Sequence, residues 1–220
     1  MGFCLFNNIA LAAYHALEVK GLQRIMILDW DAHHGNATEH MFYEDPRVLF
    51  VSWHQYPNWP GTGAIEDMGT GKGTGYNVNI PLPVNYGDNA YLQTFKELVI
   101  PLAANFKPQL LLVSAGYDAH FNDPLTHMGL TAKGFAELVG QVITLASQLT
   151  SRKVGFLLEG GYHLEALAWS VYATLMTLAQ EQIPSFQEPT YSNLPPQIEE
   201  KQLKSIIERI QKVQPLLQGT

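Results

Sequence analysis

The sequence predicts an α/β fold: a parallel sheet with helices on both faces. Four short apolar runs are the first observation, because strands that are buried on both faces read as continuous apolar stretches. The runs cover residues 24–29, 48–52, 110–114 and 154–158. A weaker candidate strand covers 76–80. The second observation is that helical patterns lie between these runs, and this alternation is typical of βαβ units.

Three helices are predicted, one before the first strand and two between later strands. Residues 8–19 have helical spacing and are followed by Gly21, a residue type common just past a helix end. The second helix, 88–106, begins at an acidic cap, and we expect an interruption at Pro101 because proline lacks the backbone N–H. The third helix covers 131–149.

The last forty residues follow a different pattern. Prolines after Gln180 predict an irregular connection. A final helix over 198–213 has apolar residues at three- and four-residue spacing, which gives it one apolar stripe for core packing or, less commonly, for a partner. We therefore expect one domain at 1–180, and at 181–220 a connection with an amphipathic helix that packs on the same domain. The glycine-rich stretch 69–75 lacks the Lys-Ser ending of a phosphate-binding loop and is predicted to be a turn.

Composition limits the classes of function. The chain has 220 residues, of which 46% are hydrophobic, enough for one sizeable core. Its 13 Lys and Arg against 20 Asp and Glu give a net charge of −7 without a basic cluster, so no direct nucleic-acid or membrane partner is expected. A single cysteine, Cys4, excludes an internal disulfide and agrees with a reducing compartment. We expect a cytoplasmic protein.

The most informative stretch follows the first apolar run. Side chains along a strand alternate between its faces, so Asp29, Asp31 and His33 are predicted to project to the same side. Burying two carboxylates at a strand end is costly unless a cation or many hydrogen bonds compensate their charge. A metal site explains this pattern best, although a lone acid or histidine here is also compatible with a helix cap or a core histidine.

Two further runs end in the same way. The third strand is followed by Gly116 and then Asp118, and the fourth by two glycines and Tyr162. The carboxyl ends of parallel strands form the ligand crevice of open α/β sheets, so these side chains are expected to meet. Two carboxylates and an imidazole are a plausible catalytic zinc shell, and such sites also accept iron or cobalt. A tyrosine hydroxyl there could stabilise an oxyanion during hydrolysis of an amide.

Five motifs, taken in their order along the chain, resemble those of class II type histone deacetylases and their bacterial relatives. They are Gly2-Phe-Cys-Leu-Phe-Asn-Asn8, Asp29-Trp-Asp-Ala-His-His-Gly-Asn36, Tyr56-Pro-Asn-Trp-Pro-Gly-Thr-Gly63, Ser114-Ala-Gly-Tyr-Asp-Ala-His120 and Leu158-Glu-Gly-Gly-Tyr-His-Leu-Glu-Ala-Leu167. The resemblance implies an arginase/deacetylase-type parallel sheet that lacks the family's N-terminal strands, with 1–180 as a partial catalytic domain. It also implies a deacetylase that acts on acetyl-lysine or a small acetylated amine.

The resemblance assigns roles to the central residues. Asp31, His33 and Asp118 match the ligands of one Zn²⁺ ion, and Tyr162 matches the tyrosine that polarises the acetyl carbonyl. We expect zinc chemistry to depend on these four side chains.

Three apolar residues match the substrate tunnel of the family. Phe3 and Trp59 fall where the family has aromatic walls around the acyl-lysine, and Leu125 falls near the rim. The alternative is that all three are core residues.

Other matched residues surround the metal ligands. Asp29 and Ser52 match positions of a structural monovalent cation, K⁺, and Asp29 and Asn36 match the partners that orient the family's two catalytic histidines. Ser52 could otherwise be a strand-end hydroxyl and Asn36 a turn residue. A second cation site is suggested by Phe42, Val48 and Tyr76. Structural or surface roles are expected for the remaining histidines near the motifs, which are His34, His54, His120, His127 and His163.

The sequence departs from the family at one point. Family members carry two adjacent catalytic histidines before the segment that matches Gly2-Phe-Cys4, whereas the one His-His pair here is His33-His34. We therefore expect the chain alone to bind zinc but to deacetylate slowly, as a fragment would. The alternative is a catalytically silent module that binds metal or acyl-lysine. A two-manganese ureohydrolase is disfavoured because it needs further acids at these strand ends.

Overall fold

A computed structural model describes residues 4–182 and 200–218 and contains one five-stranded parallel sheet. The strands are β1 (Ile25–Asp29), β2 (Val48–Gln55), β3 (Asn77–Leu82), β4 (Leu110–Ala115) and β5 (Val154–Leu158). They lie in the order β3-β2-β1-β4-β5, and each neighbouring pair is parallel. The predicted α/β class is confirmed, and β2 and β3 extend further than expected.

Helices connect the strands. They are α1 (Asn8–Tyr14), α2 (Asn36–Phe42), α3 (Asp88–Thr94), α4 (Ile100–Phe106), α5 (Ala132–Leu149), α6 (Leu164–Ala179) and α7 (Glu200–Val213). A π-helical turn, His15–Val19, extends α1, and another, Phe95–Val99, joins α3 to α4. Short 3₁₀ turns occur at Gly71–Gly73, inside the predicted glycine-rich turn, and at Pro215–Leu217. Within the described part of the chain, no helix has both the length and the apolar character needed to cross a bilayer.

The interruption expected at Pro101 takes the form of a widened turn. The Ile100 N–H donates to Phe95 O, five residues earlier, and Pro101 follows as the second residue of α4. A widened turn before the proline accommodates its missing N–H without breaking the helix axis.

The sheet is covered on both faces, as the sequence predicts. Met26 and Leu28 of β1 face the larger core, which α3, α4 and α5 also line. Ile25 and Ile27 face a second core cluster formed with α1. Because consecutive strand residues point to opposite faces, both faces of β1 are apolar from Ile25 to Leu28.

The last helix packs on the same core. Leu203, Ile207 and Ile210 are buried against it, so the apolar stripe has the core-packing role. Gln214 Nε2 donates to Asn77 O of β3 at 2.9 Å, which ties the end of this helix to the sheet. The predicted connection lies at 183–199, outside the described residues, and the division at 180 stays a prediction.

The two edges of the sheet differ in burial. On β3, all but one of the six residues are buried, and α7 lies beside it. On β5, Val154 to Leu157 are half-buried and Leu158 is 63% exposed. The strand that leads into the Tyr162 loop is therefore the least covered one.

The buried strand residues make a testable prediction about stability. We expect Leu28→Ala to lower the free energy of unfolding by about 2–5 kcal/mol, because it removes a fully buried side chain and leaves a cavity. Urea denaturation monitored by fluorescence measures this change. Leu164→Ala is the control, since this leucine is 81% exposed and should cost less than about 0.5 kcal/mol. Equal losses in the two variants would contradict the assignment of the core.

Candidate functional site

The predicted polar residues meet at one edge of the sheet. Asp31 and His33 follow the end of β1, Asp118 follows β4, and Tyr162 follows β5. In a parallel sheet all carboxyl ends lie at the same edge, and β1, β4 and β5 are consecutive neighbours. Topology alone therefore brings these four residues to the same edge of the sheet.

Three side chains form a tight cluster there. One ligand atom each from Asp31, His33 and Asp118 lies within 4.8 Å of the other two. His33 Nδ1 is 2.7 Å from Asp118 Oδ2 and 3.3 Å from Asp31 Oδ1. The Asp118 side chain is fully buried, and that of Asp31 is 15% exposed. The structure thus places two largely buried carboxylates around one imidazole.

The electrostatics of this cluster favour a cation. Hydrogen bonding to Asp118, and then to Asp31, raises the pKa of His33 to about 10. Burial, followed by repulsion from Asp31, raises the pKa of Asp118 to about 7. Burial also acts to raise the pKa of Asp31, but the hydrogen bonds from His33 outweigh it and the pKa falls below its ordinary value. These directions show that the negative charge of the cluster favours a positively charged group at its centre.

Backbone groups fix the carboxylates. The Ala32 N–H donates to Asp118 Oδ1 at 2.7 Å, and the Gly160 N–H donates to Asp31 Oδ2 at 2.9 Å. A Cβ on Gly160 would lie 2.7 Å from an oxygen of each carboxylate, so this position requires glycine. The donor set suits a metal such as zinc, because two carboxylates and an imidazole are held together before any ion binds.

Asp29 and Ser52, predicted near a monovalent cation, lie side by side. Asp29 of β1 is opposite Ser52 of β2 and Ser114 of β4. It is 3% exposed, and its Oδ1 accepts from the Asp31 N–H at 3.1 Å. Burial, and then repulsion from Asp31, raises the pKa of Asp29 well above its ordinary value. Asn36 is the first residue of α2 rather than a turn residue.

The residues predicted for a second cation lie around the start of β2. The Phe42 carbonyl accepts from the Asp45 N–H, and the Tyr76 carbonyl accepts from the Phe50 N–H at 2.9 Å. Val48 is the first residue of β2 and is buried. A cation here stays a prediction.

Tyr162 is held in place by a residue that the sequence did not reveal. Its backbone N–H donates to Asp123 Oδ2 at 2.8 Å, while Asp123 Oδ1 accepts from the Leu125 N–H at 2.9 Å. One carboxylate therefore joins the loops that follow β4 and β5. Burial, and then the charges of Asp118 and Asp31, raises the pKa of Tyr162 to about 12, so the hydroxyl keeps its proton at neutral pH.

Two of the three predicted tunnel residues are not core residues. Trp59 is 66% exposed and Leu125 is 51% exposed, so the core alternative is wrong for both. Each lies in a loop that follows the carboxyl end of a strand, β2 or β4. Phe3 lies outside the described residues.

Comparisons with known proteins agree with this geometry. The family model for the histone deacetylase domain matches residues 1–178. The chain is 45% identical over 189 residues to a "Probable deacetylase" of Archaeoglobus fulgidus, with 86% of this chain covered. It is 43% identical over 194 residues to "Polyamine deacetylase HDAC10" of Homo sapiens, also with 86% covered. A solved structure, the HDA15 HD domain, superposes with a TM-score of 0.84 at 32% identity and covers 97% of this chain.

The matched relatives are longer than this chain. The matched region spans 52% of the archaeal relative, 28% of the human one and 56% of the solved HDA15 chain. The similarity therefore bears on the part that contains the cluster, the sheet and the loops at its carboxyl edge.

A substitution at Gly160 tests the close packing of the cluster. We expect Gly160→Ala to lower the free energy of unfolding by about 1–3 kcal/mol, because the new methyl group would overlap both carboxylates. Thermal denaturation measures the loss. Gly140→Ala, in α5 with no atom within 4 Å of the new Cβ, should be neutral or stabilising. A neutral Gly160→Ala would contradict the packing described here.

Proposed function

Because this chain belongs to the histone deacetylase domain family, we propose that Asp31, His33 and Asp118 bind zinc at a site that hydrolyses the amide of acetyl-lysine or of a small acetylated amine. The observation that carries the proposal is the cluster itself. Two largely buried carboxylates with a shared imidazole would be costly without a compensating cation. The names of the relatives point to the same reaction class.

The chemistry divides between the ion and the protein. A zinc ion at such a site acidifies a water molecule and polarises the carbonyl to be attacked. Tyr162 keeps its proton at neutral pH because its pKa is about 12, and its hydroxyl would donate a hydrogen bond to the amide oxygen as negative charge develops there. Asp123 holds the backbone of Tyr162 and so positions this donor.

The surface near the site favours a substrate that has an apolar methylene chain and carries positive charge close to its acetylated group. Trp59 and Leu125 expose apolar surface beside the carboxyl edge of the sheet, which suits the methylene chain of a lysine or a polyamine. The net charge of −7 would attract a lysine-rich peptide or a polyamine. One relative is named a polyamine deacetylase, which supports an acetylated polyamine as a proposed substrate beside acetyl-lysine.

We also propose that this chain is slow when tested by itself. The chain has one pair of adjacent histidines, His33-His34, and His33 is a proposed zinc ligand, so this pair would not serve as the two proton-transferring histidines. Proton transfer by positioned histidines contributes about 10²–10⁴-fold to rates of this kind. A longer form that includes such a pair should therefore be faster.

Asp29 supports a structural K⁺ as part of the proposal. Its carboxylate is buried at the end of β1, where burial and the nearby Asp31 charge raise its pKa and disfavour its ionised form. A monovalent cation near Asp29 and Ser52 would offset this cost.

The cytoplasm is the proposed compartment, since the single cysteine, Cys4, is an exposed free thiol.

Zinc affinity provides the first test. We expect Asp118→Asn to weaken zinc binding by more than about 100-fold. Mutating a residue that only hydrogen-bonds to a metal ligand already weakens binding by up to about 100-fold, and loss of a ligand should cost more. Competition with a chromogenic chelator measures the affinity. Glu208→Gln, an exposed change on α7, is the matched control and should have no effect. Equal affinities for Asp118→Asn and the parent would refute the ligand assignment.

Catalysis provides the second test. We expect Tyr162→Phe to reduce kcat for an acetyl-lysine peptide by about 10²–10³-fold, because an oxyanion donor is lost, while zinc affinity stays unchanged. The rates are compared in this chain and in a form extended through the reading frame upstream of Met1. Full activity of the chain alone would show that a different base serves the reaction. No hydrolysis by either zinc-loaded form would favour the silent binding module.

A further inference from the structure

The loop that carries Trp59 is fastened to the rest of the protein by two buried histidines. This loop, residues 56–63, leaves the end of β2. His34 is 4% exposed and His54 is fully buried, and their ring centroids are 4.7 Å apart. Both rings contact the loop close to its end.

The first fastening joins His34 to a side chain of the loop. His34 Nδ1 lies 2.8 Å from Thr62 Oγ1. On the other side of the ring, His34 Nε2 lies 3.2 Å from Glu39 Oε2, an electrostatic contact in which the N–H is not aligned with the oxygen. A proton on Nε2, facing the carboxylate, leaves Nδ1 free to accept from the Thr62 hydroxyl.

The second fastening joins His54 to the loop backbone. His54 Nε2 lies 2.9 Å from Gly63 O, and a carbonyl only accepts, so the ring donates. Gly63 has a φ of 91°, and a Cβ there would lie 2.5 Å from His54 Nε2. Glycine therefore allows the chain to approach the histidine this closely.

Glu39 is itself anchored to the sheet. It accepts hydrogen bonds from Asn77 Nδ2 at 2.7 Å and from Asn79 Nδ2 at 2.9 Å, both on β3. The hydrogen bonds and contacts thus run from β3 through Glu39 and His34 to Thr62. Since every member is at least partly buried or bonded to a buried group, the arrangement of the loop is coupled to the sheet.

We infer that Glu39, His34 and Thr62 form a clasp that positions the Trp59 loop beside the metal cluster. The adjacent His33 and His34 have opposite tasks: His33 faces Asp31 and Asp118, whereas His34 faces the loop. Two adjacent residues therefore connect the cluster, through His33, with the loop, through His34. Thr62, His34 and Glu39 are positioning residues.

The role of the clasp in substrate binding rests on the proposed function, whereas the order of the loop does not. If the loop supplies an apolar wall for the methylene chain of the substrate, loosening it should weaken binding while leaving the metal ligands intact. The order of the loop can be measured without any substrate or metal.

Thr62 is the best residue of the clasp to substitute, because it is exposed and its replacement leaves the packing of the core unchanged. Thr62→Val has nearly the same shape but lacks the hydroxyl, whereas Thr62→Ser keeps it. The chain is labelled with 5-fluorotryptophan, and the Trp59 signal is assigned by its loss in Trp59→Phe. Trp30 and Trp53, both fully buried, serve as internal references in the ¹⁹F spectrum.

We expect Thr62→Val to shift or broaden the Trp59 signal, with the Trp30 and Trp53 signals unchanged. Thr62→Ser should give the parent spectrum. Glu39→Gln should reproduce the effect of Thr62→Val through the other end of the clasp. A Trp59 signal that is identical in Thr62→Val, Glu39→Gln and the parent would overturn the inference.

Substrate affinity separates the clasp from the proposed function. For the zinc-loaded chain, we expect Thr62→Val to bind an acetyl-lysine peptide about tenfold more weakly, with zinc affinity unchanged, since one hydrogen bond that orders the loop is lost. If the Trp59 signal changes while the peptide affinity does not, the clasp orders the loop but has no role in substrate binding, and that part of the inference is overturned. If the parent chain binds no peptide, the proposed function fails, and the ¹⁹F spectra still decide whether the clasp exists.

Discussion

The burial of two carboxylates against one imidazole is the constraint on which this site depends. Asp31 and Asp118 cannot both lose water unless positive charge stands between them and each outer oxygen has a donor. The cation proposed to bind between His33 and the two acids would supply the charge, and the backbone N–H groups of Ala32 and Gly160 supply donors. The parallel alignment of β1 and β4 brings the two acids together, and the glycine after β5 leaves room for them.

Much of the fold could be predicted because central strands of a parallel sheet are apolar on both faces. The same reasoning failed for α6, Leu164–Ala179, whose sequence is apolar on nearly all sides and so shows no helical period. It also failed for α2, Asn36–Phe42, which is too short to show one. A helix is recognised in a sequence by the contrast between its apolar and polar faces, and neither of these helices has enough of that contrast.

The site could be predicted where its residues lie close together in the sequence, and less well where they meet through space. Asp31 and His33 lie two positions apart just after β1, so their closeness follows from their spacing in the sequence. Asp123 contacts Tyr162 from 39 positions away, and Thr62 contacts His34 from 28 positions away. Neither contact leaves a periodic trace in the sequence. His34, expected to be structural or on the surface, is buried and bonded to Thr62 of the 56–63 loop.

The partial exposure of β5 has a consequence for how the site opens. Hydrogen bonds on a half-buried edge strand exchange with solvent at a lower free-energy cost than those of a covered central strand. Tyr162 follows this edge strand, whereas Asp31 and His33 follow β1 in the middle of the sheet. If Tyr162 has the proposed role, local fraying of β5 in this chain would detach its hydroxyl while Asp31 and His33 stay in place. The chain would then lose the proposed oxyanion donor transiently and keep the residues proposed to hold the ion.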